Sequence, residues 1–384
     1  MKRLFILPLL ASSFSYAGPA VVPNPPAVTA KGHILVDFHS GEIISGNNIH
    51  TQLNPASLTK ILTSYVVGQE IQRGNVAMDD MVKISRNAWA KRFPDSSKMF
   101  IEVGTYVSVE DLYRGLTIQS GNDAATALAE HAAGSVGSFV DLMNAWSKEI
   151  GMENSHFSNP HGLHDPYLYT TPYDMSLLAR ALIKDIPEVF KFYSEKKFEY
   201  NGITQYNRNG LLWDKSLNVD GMKTGYTKKA GYSLVSTATE GKMRLVSVVM
   251  GAKSATTRKS ESKRLLSYGF RFYDTLKVSS IDKHLVDQKI YHAKSDTSKL
   301  GTKDDVYMTI PKGHKDKIET LITINEDVKA PFNKGDVLGT VKFFLDGDLK
   351  TTKQLIALED IEEASIMGKA YDYVTRLLDD VKNQ

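Results

Sequence analysis

The chain has 384 residues, of which 42% are apolar and 24% are charged, an ordinary globular mixture with enough apolar material for two domains. A net charge of +3 without a dense run of basic residues excludes nucleic-acid binding as a main function. The sequence contains no cysteine, so disulfides, thiolate chemistry, thiolate metal sites and a lipoprotein anchor are excluded.

The amino terminus has the layout of a secretory signal peptide. A basic head at residues 1–3 is followed by an apolar run at residues 4–11 and ends at the small residue Ala17. The apolar run is too short to span a bilayer, so we predict that residues 1–17 are removed on export. The proline-rich residues 18–30 are predicted to form an extended lead-in that is not part of a core.

The spacing of apolar residues predicts the elements that follow, since alternation indicates strands and helical spacing indicates helices. In chain order these are strands at 33–38 and 42–44, a buried helix at 57–73, a polar loop at 86–100, helices at 122–133 and 138–150, a helix opened by Thr171, strands at 231–239 and 243–250, and a helix at 258–273. Ser138 and Thr171 are the predicted caps of their helices. Strands at both ends of a helical middle indicate an α+β domain at residues 31–275, with the terminal strands in one antiparallel sheet.

Beyond residue 275 the sequence changes to short alternating segments separated by glycine and proline turns. We predict a small all-β domain at residues 276–358. Residues 359–384 contain an amphipathic helix, at 366–381, that is too short and too charged to span a bilayer. This helix either lies in a membrane interface or packs on its own protein, and its excess of acidic residues opposes binding to anionic lipid.

Three short motifs carry groups suited to acyl transfer. Ser57 and Lys60 lie one turn apart on one face of the predicted helix, where a neutral lysine amine could take the serine proton. This spacing alone is weak, because Ser194/Lys197, Ser260/Lys263 and Ser280/Lys283 share it. Ser120-Gly121-Asn122 either caps the following helix or supplies a second hydroxyl and an amide.

The third motif, Lys223-Thr224-Gly225, lies on a predicted strand. It either ends an exposed strand or supplies a positive charge, a hydroxyl for a carboxylate, and a glycine that allows a substrate backbone to approach closely. The three motifs together, in this order on a helix, a loop and a strand, are far more specific than any one of them.

S-x-x-K, S-x-N and K-T-G in this order form the signature of penicillin-binding proteins and class A β-lactamases. The surrounding sequences narrow the resemblance: PASLTK at 55–60, IQSGND at 118–123, DGMKTG at 220–225 and AGYSL at 230–234. Over nearly its whole mature length, the chain resembles the low-molecular-mass D-alanyl-D-alanine carboxypeptidases of the type-five group. The resemblance implies a penicillin-binding, β-lactamase-like peptidase domain followed by the β domain and an amphipathic helix.

The resemblance also implies the catalytic roles. Ser57 would attack the carbonyl between two D-alanines and form an acyl-enzyme, with Lys60 as general base and with Ser120 and Lys223 in a proton relay. Asn122 would hold the amide side chain of the substrate. No metal or organic cofactor is implied, and His161 and His164 lie in a loop without a third ligand.

The remaining implied roles concern substrate binding. The backbone N–H groups of Ser57 and Tyr226 would form the oxyanion hole, beside Gly225. Thr224 and Arg258 would bind the terminal carboxylate, although Arg258 could equally be a solvated arginine at a helix start.

Two positions depart from common relatives. Gly121 stands where class A β-lactamases have aspartate, which favours a carboxypeptidase. Tyr226 stands where relatives often have a smaller residue or a histidine, so turnover or penicillin affinity could differ.

We therefore expect an exported, periplasmic serine carboxypeptidase that acts on peptidoglycan stem peptides and is acylated by β-lactams. Peripheral attachment to the outer face of the inner membrane is expected through the C-terminal helix. The alternatives are a β-lactamase, an endopeptidase that cuts cross-links, and a non-catalytic protein that only binds the cell wall.

Overall fold

The structure is a computed structural model that describes residues 22–281, 283–295, 297–325 and 328–369. The predicted signal peptide and most of the predicted C-terminal helix lie outside these residues. Within the described ranges, no helix is long and apolar enough to cross a membrane.

The described chain alternates between strands and helices in its first two thirds and is mainly β-structure afterwards. The strands are β1 (Gly32–Asp37), β2 (Ile43–Asn47), β3 (Met81–Lys83), β4 (Tyr106–Ser108), β5 (Lys197–Tyr200), β6 (Ile203–Tyr206), β7 (Asn218–Thr227), β8 (Gly231–Glu240), β9 (Met243–Ala252), β10 (Tyr273–Ser279), β11 (Val286–Lys289), β12 (Thr297–Thr302), β13 (Val306–Pro311), β14 (Ile318–Ile324), β15 (Val337–Leu345) and β16 (Asp348–Ala357). The helices are α1 (Thr59–Gln72), α2 (Val109–Arg114), α3 (Asn122–Ala133), α4 (Val136–Ile150), α5 (Pro172–Asp185), α6 (Pro187–Phe190) and α7 (Ala255–Phe272).

The central sheet contains strands from both ends of the first part of the chain. Its order is β2-β1-β9-β8-β7, with every neighbouring pair antiparallel. The predicted meeting of the terminal strands in one sheet is therefore confirmed, and the α+β class with it. The strands β8 and β9 form the predicted hairpin, with a turn at Gly241 and Lys242.

Helices cover both faces of this sheet, which explains why its inner strands β1, β8 and β9 are buried almost throughout. On one face, Ile34 and Val248 belong to the larger core, which includes residues from α1, α3 and α5. On the other face, Leu35 and Val249 pack in a second core with Leu266 of α7. Because successive residues of a strand point to opposite faces, β1 contributes to both cores.

The helix starts follow capping chemistry, with one difference from expectation. Thr171 caps α5 as predicted, since its side chain accepts a hydrogen bond from Asp174 N. The prediction of Ser138 as the cap of α4 is wrong, because Ser135 is the cap and accepts from the backbone N–H of Ser138. The helix therefore begins at Val136.

The end of the proline-rich lead-in is packed against the protein, whereas the sequence suggested a segment outside any core. Val22 and Val28 contact the core beneath α7. Thr29 donates hydrogen bonds from its backbone N and its Oγ1 to Glu261 Oε1, at 2.6 and 2.7 Å. Tyr268 also donates a hydrogen bond to Pro23 O. These contacts hold the segment along α7.

After α7 the chain forms two sheets, β10-β13 and β11-β12-β16-β15-β14, as expected of an all-β region. The β1–β2 turn of the first part contacts this region directly. The Ser40 and Thr309 hydroxyl oxygens lie 2.6 Å apart, and the rings of His39 and Tyr307 are stacked at 4.6 Å. Thr275 Oγ1 also donates a short hydrogen bond to Asp37 Oδ2.

Candidate active site

Ser57 lies in a tight turn that leads into α1. The turn is a 3₁₀ helix at Ala56–Leu58, and Ala56 has a positive φ of 49°, which an alanine rarely adopts. Asn54 Oδ1 accepts a hydrogen bond from Ala56 N at 2.9 Å and so supports this conformation. Ser57 is half-buried at the edge of a cleft.

Gly225 of β7 packs against this turn. A Cβ atom at Gly225 would lie 2.8 Å from Pro55 O and 3.3 Å from Leu58 N. We expected glycine here to let a substrate approach, but the structure shows a further reason, since no side chain would fit between β7 and the turn. The close packing fixes the distance between the K-T-G strand and Ser57.

Lys60 is fully buried beneath Ser57 and has three acceptors. Its Nζ lies 3.2 Å from Ser57 Oγ, 2.7 Å from Asn122 Oδ1 and 2.6 Å from the carbonyl oxygen of His161. Burial, and after it the positive charge of Arg208, lower the pKa of Lys60 to about 7, against the opposing effect of Asp123. A substantial fraction of the amine is therefore neutral near neutral pH.

Ser120 lies at the entry to α3 but does not cap it. It has a left-handed φ of 68°, follows a π-helical turn at Gly115–Gln119, and leaves Gly121 as the cap residue. Its Oγ is buried without a hydrogen-bond partner among the described residues. The helix-cap alternative is therefore wrong, and the hydroxyl makes no hydrogen bond to the described residues.

Asn122, the first residue of α3, connects two parts of the site. Its Oδ1 accepts from Lys60, and its Nδ2 donates to Ser96 Oγ at 3.0 Å. Asp123, the next residue, accepts backbone N–H bonds from Met99 and Phe100 at 2.8 and 2.9 Å. These hydrogen bonds connect the loop at residues 96–100 to the start of α3.

Lys223 of β7 is also buried, with Nζ 3.2 Å from Thr224 O. Burial lowers the pKa of Lys223 well below its usual range, and the positive charges of Lys60, Arg208 and Arg258 add to this effect. The strand is thus not an exposed strand end, which was the alternative for this motif. The positive charge of Lys60 therefore disfavours protonation of Lys223.

Apart from the buried Lys60 and Lys223, functional residues of all three motifs line one cleft of about 680 Å³. The expected site residues that line it are Ser57, Ser120, Asn122, Thr224, Gly225, Tyr226 and Arg258. Ser57 and Lys60 therefore differ from the other serine–lysine pairs of the same spacing in lying at this cleft.

Arg258 lies near the start of α7 and is only 9% exposed. Its Nη1 donates to Ser233 O at 3.3 Å, and its Nε has no partner among the described residues. Burial lowers the pKa of Arg258 to about 10, so the guanidinium stays charged at neutral pH. The alternative of a solvated helix-start arginine is therefore wrong.

Two groups of the site were missed by sequence reasoning. Arg208 lines the cleft, yet nothing in its neighbouring sequence marks it. The carbonyl of His161 binds Lys60, whereas we had weighed only the side chain of this histidine, as a metal ligand. A backbone group leaves no signal in residue type, although Gly162 beside it has a positive φ of 86°.

Comparison with known proteins identifies the family. The family model described as D-alanyl-D-alanine carboxypeptidase, Peptidase S11, matches residues 20–254, and that of penicillin-binding protein 5, C-terminal domain, matches residues 273–363. The chain is 43% identical to D-alanyl-D-alanine carboxypeptidase DacA of Escherichia coli, covering 97% of this chain and 96% of that protein. It is 45% identical to DacA of Haemophilus influenzae, covering 91% and 90%.

Solved structures agree with this assignment. Penicillin-binding protein 5 from Haemophilus influenzae superposes with a TM-score of 0.85 at 45% identity, covering 89% of this chain and all of that one. Penicillin-binding protein 6B from Escherichia coli gives a TM-score of 0.74 at 38% identity, covering 87% and 97%. The chain therefore belongs to the D-alanyl-D-alanine carboxypeptidase family, Peptidase S11, and has the fold of its penicillin-binding members.

Proposed function

We propose that this carboxypeptidase removes the terminal D-alanine from peptidoglycan stem peptides through an acyl-enzyme on Ser57. The observation that carries the assignment is the Nζ of Lys60, which is buried 3.2 Å from Ser57 Oγ with a pKa lowered to about 7. A serine hydroxyl needs such a base, because it is a poor nucleophile on its own.

Acylation begins with neutral Lys60. Its two N–H groups donate to Asn122 Oδ1 and to the carbonyl of His161, the two shorter contacts, at 2.7 and 2.6 Å. The nitrogen lone pair is then left for the hydroxyl proton of Ser57. As that proton moves to Nζ, Ser57 Oγ bonds to the carbonyl carbon between the two D-alanines.

The negative charge that develops on the substrate carbonyl needs hydrogen-bond donors. The backbone N–H groups of Ser57 and Tyr226 supply them, since both residues line the cleft and the packing of Gly225 fixes β7 beside the serine turn. One donor of this kind is commonly worth about 10²–10³ in rate.

As the C–N bond breaks, the proton that Lys60 took from Ser57 passes to the leaving nitrogen, and Lys60 becomes neutral again. Ser120 Oγ is suited to pass this proton on, because it is buried at the cleft and has no partner among the described residues. Lys223 supports this relay with an amine whose pKa is lowered by burial and by neighbouring cations. D-Alanine then leaves as a neutralised amine, and Ser57 holds the acyl group.

The carboxylate of the terminal D-alanine binds at the other end of the cleft. Thr224 offers a hydroxyl, and Arg258 offers a buried guanidinium whose Nε has no partner in the described part of the chain. Arg208 adds a further positive charge to the cleft wall. This excess of cations favours an anionic substrate.

Deacylation repeats the chemistry with water in place of the serine. Lys60 takes a proton from the water, and the water oxygen bonds to the acyl carbon. The ester bond to Ser57 Oγ then breaks as the proton on Nζ returns to Oγ, which restores the Ser57 hydroxyl and neutral Lys60. A β-lactam enters the same sequence, because its strained amide and carboxylate present the same groups. Its ester on Ser57 is hydrolysed slowly, which explains covalent penicillin binding.

The place of action is also part of the proposal. Export through residues 1–17 would bring the enzyme to the periplasm, where its substrate is found. Peripheral attachment to the inner membrane would use the amphipathic segment in residues 359–384, whose apolar residues recur at helical spacing. A vesicle flotation assay with the full chain and with a chain ending at residue 358 tests this part.

One assay tests the activity. The purified protein is incubated with a pentapeptide, a cross-linked muropeptide dimer and a penicillin, and D-alanine release, dimer cleavage and drug turnover are followed. We expect D-alanine release that Ser57→Ala abolishes and Ser194→Ala leaves intact, since Ser194 has the same spacing to a lysine but an exposed position. Release that persists in Ser57→Ala, or drug or dimer turnover that exceeds pentapeptide turnover, would contradict the proposal.

A further inference from the structure

A series of three side chains lines the end of the cleft where the carboxylate is proposed to bind. Tyr226 of β7 and Tyr232 of β8 lie directly opposite each other in the antiparallel pair. Their rings are stacked, with centroids 4.3 Å apart and planes at 29°. The guanidinium carbon of Arg258 lies 5.8 Å from the centroid of the Tyr232 ring. Tyr232 thus contacts both of the other side chains.

Hydrogen bonds alone do not fix the orientation of Arg258. A guanidinium has five N–H donors in a rigid plane. Within the described part of the chain, one long bond from Nη1 to Ser233 O, at 3.3 Å, is the hydrogen bond that this side chain makes, and Nε is buried without a partner. The ring of Tyr232 is a further contact that can hold the plane of the guanidinium.

An aromatic ring is suited to this task. A cation near a tyrosine ring is attracted by the negative charge of the ring face, and the attraction strengthens when both groups are withdrawn from water. Arg258 is 9% exposed and Tyr232 is half-buried, so the contact is partly desolvated. This attraction does not need the tyrosine hydroxyl.

Tyr226 in turn restrains Tyr232. Its own side chain is 50% exposed, so burial in a core does not explain a tyrosine at this position. The ring of Tyr226 instead stacks on Tyr232 and limits the positions that the Tyr232 ring can adopt, because offset-stacked rings favour a narrow range of geometries.

We propose that the Tyr226–Tyr232 pair positions Arg258 so that the enzyme selects peptides with a free terminal carboxylate. Tyr232 acts on Arg258 directly, and Tyr226 acts through Tyr232. The inference rests on the proposed function, since it takes Arg258 as the ligand of the substrate carboxylate. It assigns to Tyr226 a role in substrate selection.

The test compares two peptides that differ only at the end. One ends in D-alanyl-D-alanine, and the other carries the same sequence with its terminal carboxylate converted to a primary amide. The measured quantity is the ratio of kcat/KM for the acid to kcat/KM for the amide. We expect Tyr226→Ala and Tyr232→Ala to lower this ratio by about tenfold, the scale of a partly desolvated cation–π contact, mainly through KM for the acid.

Conservative variants and a matched control distinguish a loss of Arg258 positioning from a general loss of structure. Tyr226→Phe and Tyr232→Phe keep the rings and should keep the ratio, whereas a general loss of structure would lower both kcat/KM values together. Tyr106→Ala removes a ring that is 59% exposed and lies outside the cleft, and it should leave the ratio unchanged. If Tyr232→Ala does not fold, Tyr226→Ala decides the outcome, because its side chain is half exposed.

Arg258→Ala separates a failure of the proposed carboxylate role of Arg258 from a failure of the positioning role of the two tyrosines. If this variant keeps the preference for the acid, the carboxylate role of Arg258 in the proposed function is wrong. If Arg258→Ala loses the preference and both tyrosine-to-alanine variants keep it, the proposed function stands and the positioning role is overturned.

Discussion

The backbone carbonyl of His161 lies 2.6 Å from Lys60 Nζ, closer than the amide of Asn122 or the hydroxyl of Ser57. The general base is therefore oriented in part by a loop. Asn159 Oδ1 accepts a hydrogen bond from Gly162 N at 2.7 Å and shapes this loop, and Thr63 of α1 donates to Pro160 O at 2.6 Å.

Gly162→Ala should disrupt this orientation. Gly162 has a positive φ of 86°, and a Cβ atom there would overlap the Ala56 carbonyl beside Ser57. The loop must move, so we expect the rate of penicillin acylation to fall by at least tenfold and stability to fall by about 1–3 kcal/mol. Stopped-flow acylation and chemical denaturation measure the two effects.

Gly134→Ala provides the matched control for this prediction. Gly134 also has a positive φ, 74°, but a Cβ atom there would meet nothing within 4 Å. It should cost stability through backbone strain and leave acylation unchanged. Equal acylation rates in the two variants would show that the His161 carbonyl does not orient Lys60.

The pH dependence of acylation should report Lys60. Burial lowers the pKa of this amine to about 7, and the base must be neutral to take the Ser57 proton. The rate of penicillin acylation should therefore rise with pH and level off above about 7, where the amine has lost its proton. A rate that is constant from pH 5 to 9 would show that Lys60 is not the proton acceptor.

Arg208→Gln should shift this profile. The positive charge of Arg208 is the second cause of the lowered pKa of Lys60, after burial, and it also disfavours protonation of Lys223. Its removal should move the midpoint of the acylation profile to higher pH. The shift should be modest, because the Arg208 side chain is exposed and water screens its charge.

Lys98→Gln is the control for the charge change. Lys98 also lines the cleft, yet it is not among the charges that shift the pKa of Lys60. The midpoint should stay in place in this variant. A midpoint that moves equally in both variants would point to the overall charge of the cleft, and one that moves in neither would show that burial alone sets the pKa.

The pattern of strands and helices was sufficient to predict the α+β class, and the three motifs identified part of the cleft lining, including Ser57, Ser120 and Thr224, but not Arg208. Strands β1, β8 and β9 of the central sheet were predictable because they carry apolar runs, whereas β7 was marked by its K-T-G motif. The sequence could not reveal the left-handed backbone of Ser120, because the same three residues would also make an ordinary helix cap.

Contacts that depend on the folded backbone were beyond prediction. The carbonyl of His161 has no residue-type signal, and Arg208 reaches the cleft through the chain path between β6 and β7. The lead-in was misjudged because prolines indicate extended chain, and an extended chain can still pack, as Thr29 does against Glu261. The spacing of apolar residues predicts the secondary structure of a segment better than it predicts which residues that segment contacts.

The last prediction concerns the junction between the two parts of the chain. Thr275 donates a hydrogen bond to Asp37, whose other carboxylate oxygen accepts the backbone N–H groups of His39 and Ser40 at 2.7 and 2.9 Å. Thr275→Val keeps the shape of the side chain and removes this one bond. A hydrogen bond to a charged partner is worth about 1.5–3 kcal/mol, so we expect a loss of stability of that order.

Activity should not change in Thr275→Val, because Asp37 and the β1–β2 turn lie outside the cleft residues. Thr323→Val is the matched control, since Thr323 is an exposed residue of β14 that does not line the cavity beside Thr275, and its replacement should leave stability nearly unchanged. Denaturation midpoints and penicillin acylation rates are measured for both. A fall in acylation by Thr275→Val at temperatures where the protein stays folded would show that the β-rich part influences the active site through this junction.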